Sequence, residues 1–103
     1  MIALPPAAYD PDRRLLVGPK GFARVTRREH DLLTQLALRR GRLVTLDALI
    51  SAVWSPPEDE PERPINAMRV HLHRLRAKLK AVGASADLIQ NIWGVGCLLA
   101  PLP

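Results

Sequence analysis

The chain has 103 residues and a formal net charge of +5, a length that holds one domain and a balance that favours a negatively charged partner. Its single cysteine, Cys97, excludes an intrachain disulfide and a cysteine-rich zinc site, and reads as a small apolar strand residue. No apolar run approaches the ~20 residues that span a bilayer. The start Met1-Ile2-Ala3-Leu4-Pro5-Pro6 lacks the basic and long apolar regions of a signal peptide, so a cytoplasmic protein without a membrane partner is expected.

Residues 1–25 read as a small N-terminal antiparallel sheet. Leu15-Leu16-Val17 and Phe22-Ala23-Arg24-Val25 flank Gly18-Pro19-Lys20-Gly21, two strands joined by a turn, and Asp10-Pro11-Asp12 marks an earlier turn. A three-helix unit is predicted over 26–83. Thr26-Arg27-Arg28-Glu29 is a capping box, in which hydroxyl and carboxylate each satisfy an otherwise orphaned backbone N–H. Leu32, Leu33, Leu36 and Ala37 follow at helical spacing, Arg39 and Arg40 suit the negative end of the helix dipole, and Gly41 supplies the stop.

Leu43-Val44 reads as a short extended piece. Thr45 is placed to N-cap a second helix with Leu46, Leu49, Ile50 and Val53 on one face and Trp54 at its end, stopped by Ser55-Pro56-Pro57. The loop 55–63 crowds Glu58, Asp59, Glu60 and Glu62 into five positions. Pro64 then opens a third helix running to about Val82, with Gly83 after it. Residues 88–100 read as a hairpin: Leu88 to Trp93, the turn Gly94-Val95-Gly96, and Cys97 to Ala100. The order predicts one α+β domain over 1–103, with an N-terminal antiparallel sheet, three helices and a C-terminal β-hairpin.

The third helix carries the functional signal. At about 100° per residue, Ile65, Met68, Leu72, Leu75 and Leu79 form one apolar stripe. Asn66, Val70, His73, Arg74 and Ala77 lie on the far side, Arg69, Arg76 and Lys80 on one flank, and His71 and Lys78 on the other. From Arg63 to Ala86 there are six Arg or Lys residues and no acid. A merely solvated face normally mixes signs, whereas a basic face with small residues at its centre fits closely into the major groove of DNA. Metal binding by His71 and His73 is disfavoured, because residues two apart on a helix point apart, and no cofactor motif is present.

The ordered set Val25-Thr26-x-x-Glu29-x-x-Leu32-Leu33, Leu49-x-x-x-Val53-Trp54, Met68-x-Val70-His71-Leu72-x-Arg74-Leu75-Arg76-x-Lys78-Leu79 and Ile92-Trp93-Gly94-x-Gly96 resembles the OmpR/PhoB-type winged helix-turn-helix DNA-binding domain of bacterial response regulators. The resemblance spans about residues 9–100. It implies a third helix in the major groove, a hairpin wing near the minor groove, and transcriptional regulation by sequence-specific binding to double-stranded DNA. It carries over Asn66, His71, His73, Arg74 and Arg76 as DNA contacts on the helix, joined by Arg69, Val70, Lys78 and Lys80 from its basic faces. Trp54 matches a Trp whose indole N–H can meet a phosphate, although a core Trp closing the second helix explains it equally.

The resemblance further implies that the acidic loop 55–63 touches RNA polymerase, that copies can pair as a homodimer on DNA, and that the protein is nucleoid-associated. Arg69 stands where relatives usually carry an acid. Trp93 stands where many carry a minor-groove Arg, and Cys97 replaces the usual wing Tyr. The Trp93-Gly94-x-Gly96 form and the segment Asp59-Glu60-Pro61-Glu62 are similar to the CtrA-type cell-cycle regulators. No receiver domain precedes the module in this sequence, so the expectation is either a stand-alone regulator, to which the Met1 start points, or a fragment of a larger regulator. The competing function is a winged-helix protein-interaction module that docks on RNA polymerase or another regulator. An enzyme is excluded by the lack of a nucleophile–base set, a phosphate-binding glycine loop or paired buried carboxylates.

Overall fold

A computed structural model describes residues 1–92 and 94–103. Among these residues four strands come first: β1 (Ile2–Leu4), β2 (Ala7–Asp10), β3 (Leu15–Gly18) and β4 (Gly21–Arg24). They form an antiparallel sheet in chain order, so the sheet is twice as wide as the two strands expected. β1 and β2 escape a reading by alternation because they are only three and four residues long and are separated by Pro5-Pro6. Tyr9 pairs with Ile2 on one side and Leu16 on the other, and Leu4, Tyr9 and Leu16 are all fully buried on the inner face.

Helix α1 (Arg27–Leu38) starts as its sequence dictates. The Thr26 hydroxyl accepts from the Glu29 N–H at 3.2 Å, and Glu29 Oε1 accepts from the Thr26 N–H at 2.8 Å. Arg40 does not serve the helix dipole. Its Nε donates to the Ala100 carbonyl at 3.0 Å and its Nη1 to the Ala3 carbonyl at 2.5 Å, which ties both chain ends to the close of α1. After Gly41, whose φ of +79° favours glycine, a two-residue strand β5 (Val44–Thr45) leads into helix α2 (Leu46–Val53). The Thr45 hydroxyl caps α2 by accepting from the Ala48 N–H at 3.2 Å. A single 3₁₀ turn at Pro57–Asp59 lies in the acidic loop. Helix α3 then runs over Pro64–Ala81.

The chain ends in a hairpin of β6 (Ile89–Ile92) and β7 (Gly96–Leu99), one residue shorter at each end than expected, the first of them because a 3₁₀ turn occupies Ala86–Leu88. β7 also pairs with β5, through Val44 with Cys97 and Thr45 with Gly96, giving a second sheet of order β5-β7-β6. The three helices share one core with the two sheets: Leu32, Leu33, Leu36, Leu49, Val53, Met68, Leu75, Leu79, Ile89 and Leu99 are each at most 1% exposed. Cys97 is buried within β7 as a strand residue, its thiol 3.7 Å from Asn91 Oδ1. No described helix is long and apolar enough to cross a membrane.

Candidate nucleic-acid interface

α3 begins at Pro64 with no side-chain cap and no acid in its first turn, and carries Lys78 and Lys80 in its last turn, where the dipole favours cations. Met68, Leu72, Leu75 and Leu79 are buried as the apolar stripe requires. Ile65 is not: it is 46% exposed. It sits one turn before Met68, beyond the reach of the core, at the edge of a cleft of about 150 Å³ bordered by Leu46 on α2 and Gly94 in the hairpin turn.

The structure divides the predicted contact residues into two groups. Asn66, Arg69, Val70, His73, Arg74 and Lys80 are exposed along α3, with the small Ala77 among them. Arg69, His73 and Arg76 also border a second cleft, toward Asn91 of the hairpin, so the basic helix face and the hairpin adjoin.

The remaining helix candidates are engaged inside the protein. The Lys78 ammonium lies 2.5 Å from Glu29 Oε1, with the Glu29 side chain fully buried and that of Lys78 29% exposed. The flank reading of Lys78 is thereby corrected: a buried carboxylate needs a cation, and Lys78 is spent on it. Arg76 is likewise not a free arm. Its Nη2 donates to the Ile89 carbonyl at the start of β6, fastening the hairpin to α3, and the side chain is half-buried.

His71 does not point freely from the flank either. It is half-buried with its ring centroid 6.0 Å from that of Trp54, tilted by 51°, and its Nδ1 is a buried atom without a partner among the described residues. Burial lowers its pKa below the ordinary 6.5. The Glu29 charge opposes that shift, and the Arg74 and Arg28 charges add to it. His71 is therefore a neutral imidazole at neutral pH. Trp54 is 5% exposed and closes α2 with its backbone N–H on the Ile50 carbonyl at 3.0 Å. The core reading of Trp54 therefore holds. Trp93, expected in the wing, lies outside the described residues.

Two residues of α1 behind this surface make long-range contacts that the sequence does not show. Glu29 was legible as a cap, but not as the partner of a lysine 49 residues away. Arg28 donates from Nη1 to the Val53 carbonyl at the end of α2, a contact between elements 25 residues apart that no local pattern encodes. The acids of the loop, Glu58 to Glu60 and Glu62, are exposed, and the salt bridges found among the described residues include none of them.

The family described as transcriptional regulatory protein, C terminal, matches residues 21–99. The chain is 35% identical over 75 residues to the cell cycle response regulator CtrA of Brucella anthropi, a match that covers 73% of this chain and 31% of that protein. The chain therefore spans under a third of that relative's length. Its fold is similar to the C-terminal domain of the nisin resistance regulator NsrR, with a TM-score of 0.76 at 21% identity and both chains covered completely. It is also similar to the DNA-binding domain of Klebsiella pneumoniae RstA, in complex with RstA box, with a TM-score of 0.73 at 25% identity over 98% of this chain and 97% of that one.

Proposed function

The chain belongs to the family described as transcriptional regulatory protein, C terminal, and from that premise we propose that it binds double-stranded DNA in a sequence-specific manner, with α3 in the major groove and the β6–β7 wing beside the adjacent minor groove. The observation that carries this reading is the exposed face of α3: Asn66, Val70, His73 and Arg74 face outward around the small Ala77, without an acid on the helix. Small residues at the centre admit the helix deeply, and longer neighbours reach base edges. That the RstA domain, a structural relative, is found with its DNA box supports the same reading.

Within the face the roles divide by reach. Arg74 is exposed opposite the buried stripe, and its guanidinium fork matches guanine O6 and N7. Lys80 sits at the exposed end of α3 and suits a phosphate. Trp54 and His71 lie together at the end of α2, where an indole N–H and an imidazole can hold the DNA backbone. The exposed acidic loop would repel DNA and is assigned to a protein partner, RNA polymerase being the expected one; pairing of two copies on DNA belongs to the same reading. Binding DNA would place the protein on the nucleoid.

Duplexes selected from a random pool test the assignment. Arg74→Ala should lose about 1–3 kcal/mol on the selected site and relax the preference at one base pair. An equal loss on every sequence would move the reading role to His73 or Asn66.

A further inference from the structure

Arg28 lies on α1, outside the helix that reads DNA, yet its side chain reaches the end of α2. Its Nη1 donates to the carbonyl of Val53, the residue before Trp54. A guanidinium offers five N–H donors in a rigid plane, so this bond occupies one and fixes the orientation of the rest. Arg28 is half-buried and none of its nitrogens is a buried atom lacking a partner, so its guanidinium keeps some exposure to solvent. The Arg28 charge acts on the His71 ring, as does that of Arg74, and His71 lies against Trp54. α1, the end of α2 and the middle of α3 therefore bring Arg28, Trp54, His71 and Arg74 to one place.

One acid, Glu29, acts on the same ring and opposes the two arginines, but its charge is shared with Lys78. Glu29 is fully buried, and its Oε1 already takes the Thr26 N–H at 2.8 Å and the Lys78 ammonium at 2.5 Å. What remains is a cationic corner open to solvent, beside an exposed Arg27.

We propose that Arg28 is a phosphate anchor of the DNA interface, holding a backbone phosphate at the Trp54 end of α2 and so extending the contact surface onto α1. The proposal rests on the duplex-DNA reading above. A phosphate oxygen pair matches the planar fork of a guanidinium. The bond to Val53 holds the fork in place beforehand, so less side-chain freedom is lost on binding. The contact reads no sequence; it fixes the register in which α3 meets the groove.

The test is duplex binding over a salt series by the whole chain and by Arg28→Gln and Arg28→Lys, each melted in parallel. Arg28→Gln should make the log–log salt slope shallower by about 0.9, the value of one phosphate, and weaken selected and random duplexes by the same factor. Arg28→Lys should restore the slope. If the wild-type chain shows a steep slope and Arg28→Gln keeps it, Arg28 only closes α2 and the proposal is overturned, whatever the change in melting temperature. A wild-type chain with no salt-dependent binding would instead overturn the duplex reading, and this proposal with it. Should Arg28→Gln fail to fold, neutral methylphosphonates placed singly along the duplex replace it. One position should then cost the wild type affinity and cost Arg28→Lys a different amount; no such position overturns the proposal.

Discussion

Lys78 and Lys80 are two residues apart on the same helix and read in the sequence as basic residues of opposite flanks, with nothing to say which of them the fold would use. The fold separates them. Lys78 neutralises a fully buried Glu29, while Lys80 is exposed. Removing one partner of a buried pair leaves an uncompensated charge, at a cost of about 3–5 kcal/mol. Lys78→Ala should cost about 3 kcal/mol in urea unfolding, at the low end because Lys78 itself is 29% exposed. Lys80→Ala should stay within about 0.5 kcal/mol and act on DNA affinity instead. Equal unfolding midpoints for the two variants would contradict the assignment. The capping box was legible because it is a contact within four residues. The Glu29–Lys78 pair was not, because it joins positions 49 apart and depends on how α1 crosses α3. Arg76 and Arg40 follow the same rule: their carbonyl partners at Ile89, Ala3 and Ala100 are backbone atoms that leave no trace in residue identity.

At the scale of elements, periodicity was informative where an element buries one face and silent where it does not. The buried stripe of α3 was legible from Met68 onward, and failed at Ile65, where the helix runs past the core. The two C-terminal strands were found, whereas the pairing of β7 with β5 was not, since Val44–Thr45 is too short to show alternation. That pairing leaves its mark at Gly96, where an added Cβ would meet the Val44 carbonyl oxygen at 2.0 Å. Gly96 is thus needed for a close approach of two backbones rather than for its φ. Gly96→Ala should push β7 from β5, with an overpacking cost of about 1–3 kcal/mol, and should raise amide exchange at Val44 and Cys97 while leaving the exchange of α1 nearest to wild type. Unchanged protection at β5 would show that the hairpin does not depend on this contact.

For the whole molecule, the order of elements and the winged-helix class were legible because each helix announces its start through Thr26, Thr45 or Pro64, and because the motifs occur in a fixed sequence. The site was legible as a helix face but not as a set of free side chains: Asn66, His73 and Arg74 remain outward, while His71, Arg76 and Lys78 are drawn into the fold. Arg40 bonds to carbonyls within β1 and just after β7, which holds the two sheets to the end of α1, and Arg76 on the Ile89 carbonyl sets the wing relative to α3. The claim that depends on this arrangement is that α3 occupies the major groove. Dimethyl sulfate tests it directly, since it methylates guanine N7 in the major groove and adenine N3 in the minor groove. On a selected duplex the bound protein should protect guanine N7 across the α3 footprint, and Arg74→Ala should restore reactivity at one guanine. Guanine N7 atoms that stay fully reactive throughout a tightly bound site would contradict the account.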